Sequence, residues 1–81
     1  MEYLSMCDIK EGNWGEIVEL KCAKDIRRRF MDLGMIKGTK VKCVLVSPFN
    51  SIKGYAIRGS VIAIRHSDAK NIIVRGCNFN D

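Results

Sequence analysis

The sequence predicts a mostly β domain with one short α-helix. Its five strands form a small, partly open barrel, with the helix inserted between the first two strands and a helical turn before the last. Three observations predict this. Five short runs rich in β-branched residues are separated by Gly, Pro, Asn or Asp turn signals. One stretch changes from strand alternation to helical spacing. The 81 residues, 47% hydrophobic and 28% charged, suffice for one core, and a barrel protects strand edges that an open sheet exposes.

Asp8-Ile9-Lys10-Glu11-Gly12-Asn13 reads as a turn into a first strand, Trp14 to Lys21. Ile26, Phe30 and Leu33 then recur at i, i+4 and i+7, one apolar stripe of a helix of about ten residues. Asp25 serves its positive end as cap or in the first turn, and Gly34 closes it in a left-handed conformation. Met35-Ile36-Lys37-Gly38 turns into Thr39 to Val46, where Val41, Cys43 and Leu45 share one face. Pro48 ends that strand. Ile52 to Ile57 and Ser60 to Arg65 form a hairpin around Arg58-Gly59. Ser67 to Lys70 is a helical turn opened by a Ser or Asp cap. Ile72 to Arg75 is the last strand, so the domain spans 1–76 and leaves 77–81 as a polar tail.

The net charge of +5 is uneven. Residues 1–20 carry five acids against Lys10, a local −4. Residues 21–42 carry eight bases against Asp25 and Asp32, a local +6. A basic middle attracts nucleic acid, acidic lipid or an acidic protein face. The longest uncharged stretch, Cys43 to Ile52, is half the length that crosses a bilayer, about 20 residues. The N-terminus has no export signal, so a cytosolic protein is expected.

No motif of nucleophile, base or phosphate-cradling loop is present, so no enzymatic activity and no cofactor are expected. Cys7, Cys22, Cys43 and Cys77 lie far apart with no C-x-x-C pair, which points to buried or inert thiols. A metal site assembled from distant Cys, His66 and Asp68 and a disulfide are the other two readings, and no metal ligand is assigned.

Arg27-Arg28-Arg29 is the most concentrated feature. On a helix these bases fan over about 200°, so they cannot all serve one flat surface. They read as a solvated face with Arg29–Asp25 and Arg28–Asp32 pairs, as a docking surface for an acidic partner, or as a phosphate-backbone contact. For nucleic acid, Phe49 and Tyr55 are the available stacking residues, Trp14 and Phe30 being assigned to the core. Met31, Met35 and Ile36 fall around the helix end, either roofing the barrel or offering an adaptable apolar contact. The partner-binding candidates are therefore Arg27, Arg28, Met31, Met35 and Ile36.

The run from Ile26 to Val41, Ile-Arg-Arg-Arg-Phe-Met-Asp-Leu-Gly-Met-Ile-Lys-Gly-Thr-Lys-Val, resembles the R-R-R-L-x-x-L-G-hydrophobic-x-x-G-x-x-V signature of the ferrous-iron transport protein A (FeoA) family. The opening Lys10-Glu11-Gly12-Asn13-Trp14-Gly15-Glu16-Ile17, then Ser47-Pro48-Phe49, Ile62 to Arg65 and Ala69 to Ile72 extend the likeness over nearly the whole chain. Phe30 stands where the pattern has Leu, a tolerable core exchange. The resemblance implies an SH3-like barrel, also found at the C-terminus of diphtheria-toxin-repressor-type metal regulators. It implies a stand-alone accessory protein of bacterial ferrous-iron uptake acting on the cytosolic GTP-binding part of the membrane transporter FeoB. Metal sensing and nucleic-acid binding are the rival expectations.

Overall fold

The computed structural model describes residues 3–77. Its elements are β1 (Tyr3–Ser5), a 3-10 turn (Met6–Asp8), β2 (Trp14–Leu20), α1 (Lys24–Asp32), β3 (Lys40–Val46), a 3-10 turn (Pro48–Asn50), β4 (Ile52–Ile57), β5 (Ser60–Arg65), α2 (His66–Ala69) and β6 (Ile72–Cys77). The strands form one antiparallel sheet in the order β1-β6-β2-β3-β4-β5. It curls without closing, which leaves β1 and β5 as edges.

There are six strands where the sequence predicts five. The additional one, Tyr3–Ser5, is too short to show alternation, and its pairing with Ile73 to Arg75 supplies the order. The segment after it is held from across the core. Tyr55 Oη donates to the Met6 carbonyl at 3.2 Å, and Lys53 Nζ donates to the carbonyls of Cys7 at 2.6 Å and Ile9 at 3.1 Å. Tyr55 is thus a fully buried core residue and presents no stacking surface.

Pairing also relocates Leu45. Cys43 faces Tyr55 and Leu45 faces Gly54, so Val44 is an extra residue in β3. Such a bulge reverses the alternation beyond it. Cys43 stays in the core, and Leu45, expected beside it, is 62% exposed.

Elsewhere the local chemistry governs. The β4–β5 hairpin closes at Ile57–Ser60, with φ +49° at Arg58 and +84° at Gly59, the two positive values a type I′ turn requires. Pro48 opens a 3-10 turn directly after β3. The turn at α2 begins one residue earlier than expected, with Arg65 at its N-cap and no side-chain cap, so neither Ser67 nor Asp68 caps it. β6 runs on through Cys77, which pairs with Trp14, and the rest of the expected tail, 78–81, lies outside the described residues.

A candidate protein-docking site on the helix

α1 spans nine residues, with Asp25 in its first turn as expected. It ends by a specific device. Gly34, at φ +97°, donates its N–H to the Met31 carbonyl at 3.0 Å, and the Met35 N–H reaches back to the Phe30 carbonyl at 3.0 Å. This is the Schellman arrangement, which brings the residue after the glycine against the residue five positions before itself. Met35 and Phe30 accordingly both enter the core.

The consequence corrects two sequence expectations. Met35 has no exposed surface, so it cannot meet a partner as a docking residue. Leu33, expected in the core stripe, is 45% exposed. Helical spacing stops at Asp32, and the chain reversal gives the inward position to Met35 instead.

The reversal is clamped from the hairpin. Arg58 Nε donates to the Gly34 carbonyl at 3.2 Å, and Thr39 Oγ1 donates to the same oxygen at 3.0 Å. The Arg58 side chain crosses the face where a larger residue 34 would project: a Cβ there would lie 2.7 Å from Arg58 Cδ. Gly34 therefore serves both the positive φ and this close approach.

On the outer side of α1, a shallow groove of about 640 Å³ is lined by Lys24, Asp25, Arg27, Arg28, Met31 and Asp32. The structure thus brings together three of the five predicted site residues, Arg27, Arg28 and Met31. Met31 is 47% exposed and Ile36 39% exposed, the latter standing in the turn beyond the groove. Arg29 is the one of the three that points elsewhere, consistent with a fan too wide for one surface. It lines a separate groove toward β5.

The expected Arg28–Asp32 and Arg29–Asp25 pairs do not form within ion-pair distance among the described residues. An ion pair does form on the sheet, between β6 and β2, where Arg75 Nη2 meets Glu16 Oε1 at 2.8 Å and holds the Glu16 carboxyl below the usual carboxylate range. Lys24, at the first helical position, stands against the positive end of the helix dipole, which disfavours a cation there. The groove thus carries three bases and two acids in water, with the bases available to an incoming carboxylate.

Other chemistry is dispersed. Burial pushes the Cys7, Cys22 and Cys43 thiols up. Asp68 lies near enough to Cys22 to raise it further, yet no three His, Cys, Asp or Glu side chains converge among the described residues. No helix of the described residues is long and apolar enough to cross a membrane. Phe49, the other stacking candidate, is 98% exposed at φ +69° on the turn after β3.

The family model of the FeoA domain matches residues 4–76. The FeoA protein of Chlorobium tepidum superposes with a TM-score of 0.88 at 24% identity, over 96% of this chain and 74% of that one. The zinc-complexed FeoA of Stenotrophomonas maltophilia superposes with a TM-score of 0.77 at 24% identity, over 88% of each chain. It is described as a procaryotic SH3 domain protein and a candidate ferrous-iron transport activating factor. A manganese-dependent transcriptional repressor shares the fold at a TM-score of 0.82 and 14% identity, with 93% of this chain lying on 42% of that one. Comparison with curated protein sequences finds no match. The SH3-like fold expected from the sequence is therefore the observed one, and the chain belongs to the FeoA domain family.

Proposed function

We propose that this chain is a non-enzymatic accessory protein of ferrous-iron uptake, which works in the cytosol by binding the GTP-binding cytosolic portion of a FeoB-type transporter. Family membership supports the link to ferrous iron. The observation that carries the docking reading is the outer groove of α1, where Arg27 and Arg28 flank half-exposed Met31 without engaging Asp25 or Asp32.

Unpaired arginines need break no internal ion pair before meeting a partner carboxylate, and their planar forks suit it bidentately. Met31 adds an adaptable apolar anchor. Burying its remaining exposed half contributes about 1 kcal/mol, given roughly 1.5–3 kcal/mol for full burial of such a side chain. The charges then supply orientation and association rate more than raw affinity. Ile36 extends the contact beyond the helix end.

The reading is tested by retention of the protein on an immobilised FeoB-type cytosolic domain. Wild type is expected to be retained, and Arg27→Glu/Arg28→Glu, shown folded by its amide spectrum, to be lost. Equal retention of the folded variant removes these arginines from the mechanism.

A further inference from the structure

A second surface lies on the other side of α1 and uses different residues. β5 is an edge of the sheet, and its side away from β4 opens on a groove of about 360 Å³. Ile26, Arg29 and Phe30 of α1 form one wall, and Ala63, Ile64 and Arg65 form the other. That volume lies within the range of ligand clefts, about 300–1,000 Å³.

The backbone along this edge is available. In a hairpin closed by a two-residue turn, the residues flanking the turn exchange hydrogen bonds, and alternate pairs beyond them do the same. From Ile57–Ser60 the bonded pairs are then Tyr55–Ile62 and Lys53–Ile64. The N–H and C=O of Val61 and Ala63 therefore point away from β4, and neither residue has a further partner among the described residues. The β4–β5 register is unbroken over all six pairs, unlike those of β2 with β6 and β3 with β4. Proteins usually guard such an edge with Lys, Pro or a bulge. Residues 60–64, Ser-Val-Ile-Ala-Ile, contain none of these.

We propose that this edge binds an extended, acidic-and-apolar peptide segment of a partner protein, which adds as a seventh strand between β5 and α1. Main-chain bonds to Val61 and Ala63 give the affinity, as in other strand-addition complexes. Alternation divides the incoming side chains. One set faces the core side, toward Ile26 and Phe30, and the other lies beside Arg65 on the exposed side. Arg29 and Arg65 against Asp68 leave the groove walls basic, so the charged set is acidic. A second copy of this chain fits poorly. Antiparallel β5 pairing centred on Ile62, which sets outward Val61 opposite outward Ala63, places Arg65 opposite Gly59 and next to Arg58 of the other copy, and each copy carries its own α1 alongside the edge.

The test uses the full 15N-labelled chain and the blocked hexapeptide Val-Glu-Val-Glu-Val-Glu. The peptide is expected to slow amide exchange at Val61 and Ala63 at least tenfold. A Val-Lys analogue and a peptide N-methylated at every residue are expected to bind at least tenfold more weakly. Ala63→Pro removes an outward N–H without breaking a bond to β4, so it is expected to keep the core amide spectrum and lose at least tenfold in affinity. The N-methylated peptide keeps the test decisive should Ala63→Pro disturb the fold. The proposal is overturned by absence of binding at millimolar peptide, by protection at other amides, or by equal binding of the N-methylated peptide. It is equally overturned if protein concentration alone protects Val61 and Ala63, which identifies a second copy as the occupant.

Discussion

Substituting Gly34 by Ala probes the joint on which the helix face depends. Two effects add. A left-handed conformation disfavours any residue with a Cβ by roughly 1–2 kcal/mol. The new methyl also falls 2.7 Å from Arg58 Cδ, so Arg58 must withdraw and lose its bond to the Gly34 carbonyl, about 1 kcal/mol. The total is about 2–3 kcal/mol. For a domain of this size, with a urea slope near 1 kcal/mol per M, the midpoint falls by about 2–3 M. The decisive control is the same change in an Arg58→Ala background, where only the backbone effect remains and Gly34→Ala costs about 1–2 kcal/mol. A coupling of about 1 kcal/mol is therefore expected from the double-mutant cycle. Equal costs in both backgrounds refute the claim that the Arg58 side chain is what the missing Cβ accommodates.

Three further outcomes follow from the same structure. Met35→Ala is expected to lose about 2–5 kcal/mol by opening the core, whereas Ile36→Ala changes urea stability by about 0.5 kcal/mol or less; similar losses at the two positions contradict the assignment of Met35 to the core and Ile36 to the surface. Glu16, its carboxyl held low first by the Arg75 hydrogen bond, contributes stability that is present above the ordinary carboxylate value and lost as pH falls through the lower folded value. Glu16→Gln should therefore flatten the decline of stability between about pH 5 and pH 3, and an unchanged slope assigns that decline to other groups. Mass-spectrometric mapping of iodoacetamide labelling at pH 8 should find half-buried Cys22 modified before buried Cys7 and Cys43; labelling of Cys43 at the rate of a free thiol contradicts its place in the core.

Local chemistry was largely legible in the sequence. The alternation of Ile52 to Ile57 and Ser60 to Arg65 around Arg-Gly defined a hairpin that the structure reproduces with the same bounds. Angular arithmetic on α1 shows that Arg27, Arg28 and Arg29 cannot all serve one surface, and the structure sends Arg29 to a different groove from the other two. What escaped was set by pairing and by chain reversal. Leu45 turned outward because Val44 is bulged against β4, a fact of register that one strand read alone does not contain. Met35 turned inward because the Schellman closure places the residue after Gly34 against Phe30, where helical periodicity no longer applies. The groove between α1 and β5 depends on how a helix ending at Asp32 and an edge strand beginning at Ser60 come to stand beside one another, which no local pattern records.

The outer face of α1 is proposed to recognise an acidic surface of a FeoB-type transporter. Calorimetric titration of that transporter's cytosolic domain with wild type and with folded Arg27→Glu/Arg28→Glu, at low and at physiological salt, tests it most directly. Wild type is expected to bind with an affinity that falls as salt rises, and the variant at least tenfold more weakly. Equal affinities for the two proteins, or binding indifferent to salt, would contradict the proposal.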